Sequence, residues 1–231
     1  MMTENSLPIV ASAPYSWPIG GKWSLADTAA ICIDMQNDFL SPDGYFASLG
    51  EANESIDMAA ENTKELLALL RATSIRLIHT REGHEPGLSD LSETKKLRAI
   101  RVGAAIGSVG PMGRLLVRGE PGWDFAPGFD PAANEPVVDK AGNSAFYQTE
   151  LDDILRDWGV KHLILFGVTT DVCVSSTMRD ANERGIDCLL ISDCCGAAED
   201  ALHDAVLNGL NREGGIFGAH ATRSDLAKVL E

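Results

Sequence analysis

Apolar residues fall into short continuous runs separated by stretches in which they recur every three or four positions, and this alternation spans residues 28–231. The runs at 28–34, 75–80, 136–140, 162–168, 186–192 and 215–219 predict six strands, and those with little polar alternation predict burial on both faces. Helical spacing predicts helices over 54–71, where Ile56, Met58, Ala59, Leu66, Leu67, Leu69 and Leu70 share a face, and over 144–158, 174–184, 199–211 and 223–230. Gly185 ends the third of these. Strands alternating with helices at this interval predict an α/β fold: a mostly parallel six-stranded sheet between two helical layers, joined by right-handed crossovers.

Two stretches break the rhythm. Residues 1–27 are rich in Pro, Ser and Gly and carry Trp17 and Trp23, which predicts an irregular N-terminal arm lying on the body or on a neighbouring subunit. The single domain then covers 28–231. The connection from Arg81 to about Glu135 is the longest in the chain and holds one charged helical piece near 91–101. A connection of this length predicts either a functional loop region or an oligomer contact, and the pattern leaves both open.

Composition narrows the function classes. A net charge of −15 repels nucleic acid and anionic membrane surfaces, and no apolar run is long enough to span a bilayer, so the expected setting is the cytoplasm. The five cysteines are odd in number, and four lie in or at the ends of strand-like runs, which fits a reducing compartment better than a disulfide framework. Cys194 and Cys195 are adjacent, without metal-ligand spacing, and read as packing residues.

In an open α/β sheet, ligands bind beyond the carboxyl ends of the strands. Three strands here lead to reactive groups: Asp34 closes the first, Lys140 closes the third, and Cys173 follows the fourth on a strand-to-helix turn. The first turn of a helix favours thiolate through its unpaired N–H groups and dipole. A carboxylate can take the thiol proton, a lysine can stabilise the resulting anion, and the amides of 169–173 can hold a carbonyl oxygen that gains charge. The combination predicts nucleophilic attack by cysteine on an amide or ureide carbonyl.

The run Ile33-Asp34-Met35-Gln36-Asn37-Asp38-Phe39, then Lys140, then Gly167-Val168-Thr169-Thr170-Asp171-Val172-Cys173-Val174, resembles the isochorismatase-like cysteine hydrolases over nearly the whole chain. The resemblance implies a three-layer Rossmann-like fold and a catalytic triad of Asp34, Lys140 and Cys173. It also implies a cis peptide at Val168–Thr169, an oxyanion hole from the amides of Thr169 and Cys173, and assembly into dimers or tetramers. Nicotinamidases of this group carry histidine metal ligands after the first strand, whereas residues 40–46 contain none, so neither metal nor other cofactor is expected.

Within the family, 79–84, 118–124, Asp139-Lys140, Met178-Arg179, 193–196 and 214–218 bring the chain nearest to the biuret and triuret hydrolases. Biuret hydrolases have a glutamine before the Gly-Gly-x-Phe-Gly run, and this chain has Glu213. A carboxylate accepts hydrogen bonds only. If Glu213 faces the pocket rather than water, it favours triuret, with more N–H groups, over biuret. Phe39, Tyr147 and Phe217 are candidate pocket walls, and Arg81 and His84 candidate polar contacts. The expected activity is amide C–N hydrolysis of triuret or biuret with release of ammonia through an S-acyl enzyme. The alternatives are a ureidoacrylate or N-carbamoyl amine amidohydrolase of the same family, and a catalytically silent binding protein.

Overall fold

The computed structural model describes residues 6–51 and 54–231. Six strands form one sheet: β1 (Thr28–Ile33), β2 (Arg76–Glu82), β3 (Val137–Lys140), β4 (His162–Val168), β5 (Asp187–Gly196) and β6 (Ala219–Ala221). Their order is β3-β2-β1-β4-β5-β6 and every pairing is parallel. All residues of β1 and β4 are buried, which is why their sequences are continuous apolar runs without alternation. The chain winds outward in opposite directions from β1 and β4, so a crevice opens beyond the carboxyl ends of these two central strands.

The helices are α1 (Glu54–Arg71), α2 (Glu93–Arg101), α3 (Leu151–Asp157), α4 (Ser175–Asn182), α5 (Asp200–Leu210) and α6 (Arg223–Leu230). α1 lays Ile56, Leu66, Leu67 and Leu70 against the sheet, while α6 packs beside it and both touch β5. Among the described residues, no helix is long and apolar enough to cross a membrane.

The sixth strand and two helices differ from the sequence expectation. Residues 215–219 read as a strand because Gly215-Ile216-Phe217-Gly218 is apolar, but Gly214, Gly215 and Gly218 take φ of 75°, 81° and 125° and make a turn. The strand begins at Ala219. The helix expected over 144–158 starts at Leu151, because Gln148 at φ 55° breaks the segment before it. α4 starts at Ser175, and Thr170–Val174 before it forms a wider π-type turn.

The arm lies on the body. Ala13 and His220 exchange backbone hydrogen bonds of 2.9 and 2.8 Å, covering the β6 edge that would otherwise be open to pairing. Trp17 is fully buried, edge-on to Trp23 and His162, and the Tyr15 hydroxyl donates to Asp187 at 2.8 Å.

Gly167 shows how closely the central strands approach one another beneath the crevice. A Cβ there would stand 2.1 Å from the Ile33 carbonyl oxygen, and φ is 122°, so only glycine fits between β1 and the last turn of β4.

Candidate active site

Four adjacent strands deliver their ends to one point. Asp34 follows β1 with φ 54°, a left-handed conformation uncommon outside glycine that Asp and Asn tolerate best. Its Oδ1 accepts from the Thr80 hydroxyl at 2.6 Å, and its Oδ2 lies 2.7 Å from Lys140 Nζ. Lys140 Nζ also stands 3.3 Å from Glu82 Oε2 and 3.4 Å from Cys173 Sγ, and donates to the Gly142 carbonyl at 3.1 Å. The Cys173 thiol donates to Glu82 Oε2 at 3.2 Å. The three expected residues are therefore in one contact network, with Asp34 and Lys140 fully buried and Cys173 nearly so.

Glu82 is the member that the sequence reading did not single out. β2 runs two residues beyond the expected end at Thr80, and in a strand positions two apart share a face. Thr80 and Glu82 thus both point to the cluster, and Glu82 pairs in register with Lys140. Gln36 fixes that end of β2: it accepts from the Glu82 amide at 2.7 Å and donates to the Glu82 and Trp123 carbonyls at 3.0 and 2.8 Å. The usable signal was the period-two step from Thr80.

The same alternation explains Arg81. It lies on the opposite face of β2, bonded to Asp139 at 2.8 Å with its guanidinium 3.5 Å from the centre of the Trp123 ring, outside the cavity at the cluster. His84 is buried with its Nδ1 3.2 Å from Asp90 and does not line that cavity either. Tyr147 is 56% exposed on the segment after β3. Glu213 lines a surface depression with Tyr15, Ile19 and Asp187, the first residue of β5, at the amino end of the sheet. Phe217 carries the Arg179 guanidinium 3.9 Å from its ring centre, also away from the cavity. Of the expected substrate contacts, only Phe39 lines the cavity that contains Cys173. The reason is geometric: Glu213 and Phe217 precede β6, and a residue that precedes a parallel strand enters it at the amino end, opposite the cluster.

That cavity has a volume of about 290 Å³. Glu82, Thr169 and Cys173 lie in its wall, the aromatic residues Phe39, Tyr45 and Phe46 line one part, and Val102, Ile106 and Leu116 line another. The long connection supplies α2 and the last three of these, so it is part of the site. Asp38 pins that connection down, accepting from the Leu116 and Tyr45 amides at 2.9 and 3.2 Å.

The charges are unequal in their proton affinity. Burial would raise the Glu82 carboxyl, but Lys140 and Lys95 outweigh it and hold the group at about 2. Burial pushes Asp34 above the ordinary carboxylate range; Lys140 pulls it back only in part, and Glu82 adds to the rise. Burial alone would lower Lys140, yet Asp34, Cys173 and Glu82 together raise it, so it stays an ammonium. Burial also raises Cys173, and Asp34 and Glu82 reinforce this against Lys140. Of the two carboxyl groups beside the Lys140 ammonium, Asp34 is therefore the stronger base, and the Cys173 thiol holds its proton more tightly than a free cysteine.

Asp34, Glu82 and Cys173 offer ligand atoms within 4.8 Å of one another, a spacing that would suit a cation. The Lys140 ammonium lies within 3.4 Å of all three and supplies that charge itself. The Val168–Thr169 peptide is cis, and Thr169 leads directly into the turn carrying Cys173. The other four cysteines are free and buried, Cys194 and Cys195 within β5.

Comparison with known proteins identifies the family and the fold. Residues 28–222 match the isochorismatase domain model. The chain is 32% identical over 162 residues to ureidoacrylate amidohydrolase RutB of Serratia proteamaculans, covering 67% of this chain and 63% of that protein, so the chain spans slightly less than two thirds of that relative's length. It is 30% identical over 193 residues to the protein of the same name from Azorhizobium caulinodans, covering 79% and 78%. The crystal structure of a cysteine hydrolase from Pseudomonas syringae pv. phaseolicola superposes with a TM-score of 0.76 at 24% identity, covering 100% of this chain and 98% of that one, which supports the shared fold. With a domain match over most of its length, the parallel six-stranded architecture and this sequence similarity, the chain belongs to the isochorismatase family of hydrolases.

Proposed function

We propose that this chain is a cysteine-dependent amidohydrolase that cleaves an amide C–N bond of a small carbamoyl compound carrying a carboxylate, of the ureidoacrylate type. The observation that carries the reading is the Cys173 thiol, 3.4 Å from the Lys140 ammonium and in contact with carboxylates at the floor of a mainly apolar cavity. Asp34 takes the thiol proton as Sγ bonds to the carbonyl carbon, and the carbonyl electron pair moves onto oxygen, where the amides of Thr169 and Cys173 are proposed to hold it. Collapse of this adduct breaks the C–N bond, and the departing nitrogen takes the proton from Asp34. Water then attacks the S-acyl carbon and returns a proton to Asp34. Cleavage of the C–S bond releases the thiolate, which is reprotonated.

Two features support a carboxylate-bearing substrate over biuret or triuret. The cavity walls are mainly apolar, with Glu82, Lys95, Arg98, Asn143 and Thr169 as the polar members, which suits a short carbon skeleton with a charged end better than a chain of polar ureides. At its mouth Arg98 is exposed and has no acidic partner among the described residues. The triuret reading rests on Glu213, which lies at the other end of the sheet within this chain. The relatives named above as ureidoacrylate amidohydrolases point the same way. In a panel of ureidoacrylate, N-carbamoylsarcosine, biuret and triuret assayed for ammonia, the carboxylate-bearing compounds are expected to give kcat/KM at least about tenfold above the polyureides. A preference for biuret or triuret would overturn this assignment.

A further inference from the structure

We propose that Lys95 is a positioning residue for the reaction, holding Glu82 in place and completing the charge balance that lets Cys173 lose its proton. This rests on the reading of Cys173 as the nucleophile. Lys95 Nζ donates to Glu82 Oε1 at 2.7 Å and to the Ala141 carbonyl, next to Lys140, at 2.7 Å. The first contact leaves Glu82 Oε2 directed at Lys140 and Cys173; the second ties α2 to the end of β3. Both distances are those of strong charge-assisted hydrogen bonds.

The position of Lys95 on its helix is otherwise unfavourable. Ser92 caps α2 by accepting from the Lys95 amide at 3.2 Å, so the lysine stands in the first turn, where the helix dipole disfavours a cation. Its contact with Glu82 accounts for a positive charge at that end. With Lys95 included, two carboxylates, Asp34 and Glu82, face two ammonium groups, Lys140 and Lys95, around a neutral thiol. Passing the thiol proton to Asp34 keeps that sum at zero. Without Lys95, Glu82 draws on Lys140 alone, and the same transfer builds the thiolate in a buried site with one excess negative charge.

The other charged or titratable groups nearby do not replace it. His84 is bonded to Asp90, Asp38 is occupied by two backbone amides, Tyr45 stays neutral with its pKa pushed up to about 12, and Arg98 stands at the cavity mouth.

The test is the pH profile of Cys173 alkylation by iodoacetamide, read by peptide mass mapping together with kcat and KM. Lys95→Met is expected to move the alkylation midpoint up by about one pH unit and to lower kcat about tenfold with little change in KM, and Lys95→Arg to restore both in large part. In a Glu82→Gln background, Lys95→Met is expected to add little, because its effect passes through Glu82. An unchanged alkylation profile in Lys95→Met overturns the proposal, whether activity is kept or lost with a lower Tm. An equal effect of Lys95→Met with and without Glu82→Gln also overturns it. Alkylation needs no amide substrate, so a wild-type protein that hydrolyses nothing in the panel would sink the substrate reading while leaving this test intact.

Discussion

Cys173→Ser is expected to lower kcat/KM by about 10³-fold or more on whichever amide the wild-type protein hydrolyses best, with Tm nearly unchanged. The substitution keeps the side chain's size and its hydrogen bond to Glu82, so packing gives little reason for loss of fold. Chemistry gives ample reason for loss of activity. A serine hydroxyl holds its proton far more tightly than a thiol, and among the described residues the bases in contact with the cluster are two carboxylates, of which Asp34 is the stronger, with no histidine bonded to either Asp34 or Cys173. A variant with more than about a tenth of wild-type activity would mean that Cys173 is not the nucleophile. Steady-state ammonia release on the two proteins side by side decides it.

The second large effect is expected for Lys140→Met, and here stability and activity fall together. The ammonium contacts Asp34 at 2.7 Å and Glu82 at 3.3 Å, all three side chains being buried. Removing one partner of a buried ion pair costs about 3–5 kcal/mol because the remaining charge has no water to solvate it. Without the lysine, the two carboxylates repel each other: Asp34, already raised by burial, rises further, and Glu82 loses the larger of the two charges that hold it low. A carboxyl group with a raised folded pKa loses stability as pH rises between the unfolded and the folded value. The variant's Tm deficit relative to wild type is therefore expected to be smaller near pH 5 than near pH 8. Thermal melts of both proteins at the two pH values check this. A deficit that is the same at both would show that the lysine acts through packing rather than charge.

Much of this architecture was legible in the chain. The continuous apolar runs located the five longer strands because strands buried on both faces have no polar alternation to obscure them. Asp34, Lys140 and Cys173 could be brought together because parallel strands place their ends on one rim. Glu82 was missed for want of two residues of strand: ending β2 at Thr80 left Glu82 in a loop, where its direction has no period to fix it. Arg81 was expected in the pocket for the same reason, and one step of alternation sends it to the Asp139 and Trp123 side. Glu213 and Phe217 were a different kind of case. Family resemblance brought them toward the substrate, yet their place ahead of a parallel strand puts them at the amino end of the sheet within this chain. The role of Lys95 had no sequence signal at all. It depends on how a helix in the long connection docks, which local pattern does not encode.

If Cys173 carries a covalent intermediate, intact-mass analysis with peptide mapping of protein quenched during turnover of its best amide substrate detects it. A single substrate-derived adduct is expected on the peptide containing Cys173, absent from Cys173→Ser and from Cys32, Cys188, Cys194 and Cys195. Sustained turnover by Cys173→Ser, or an adduct on any other residue, would contradict it.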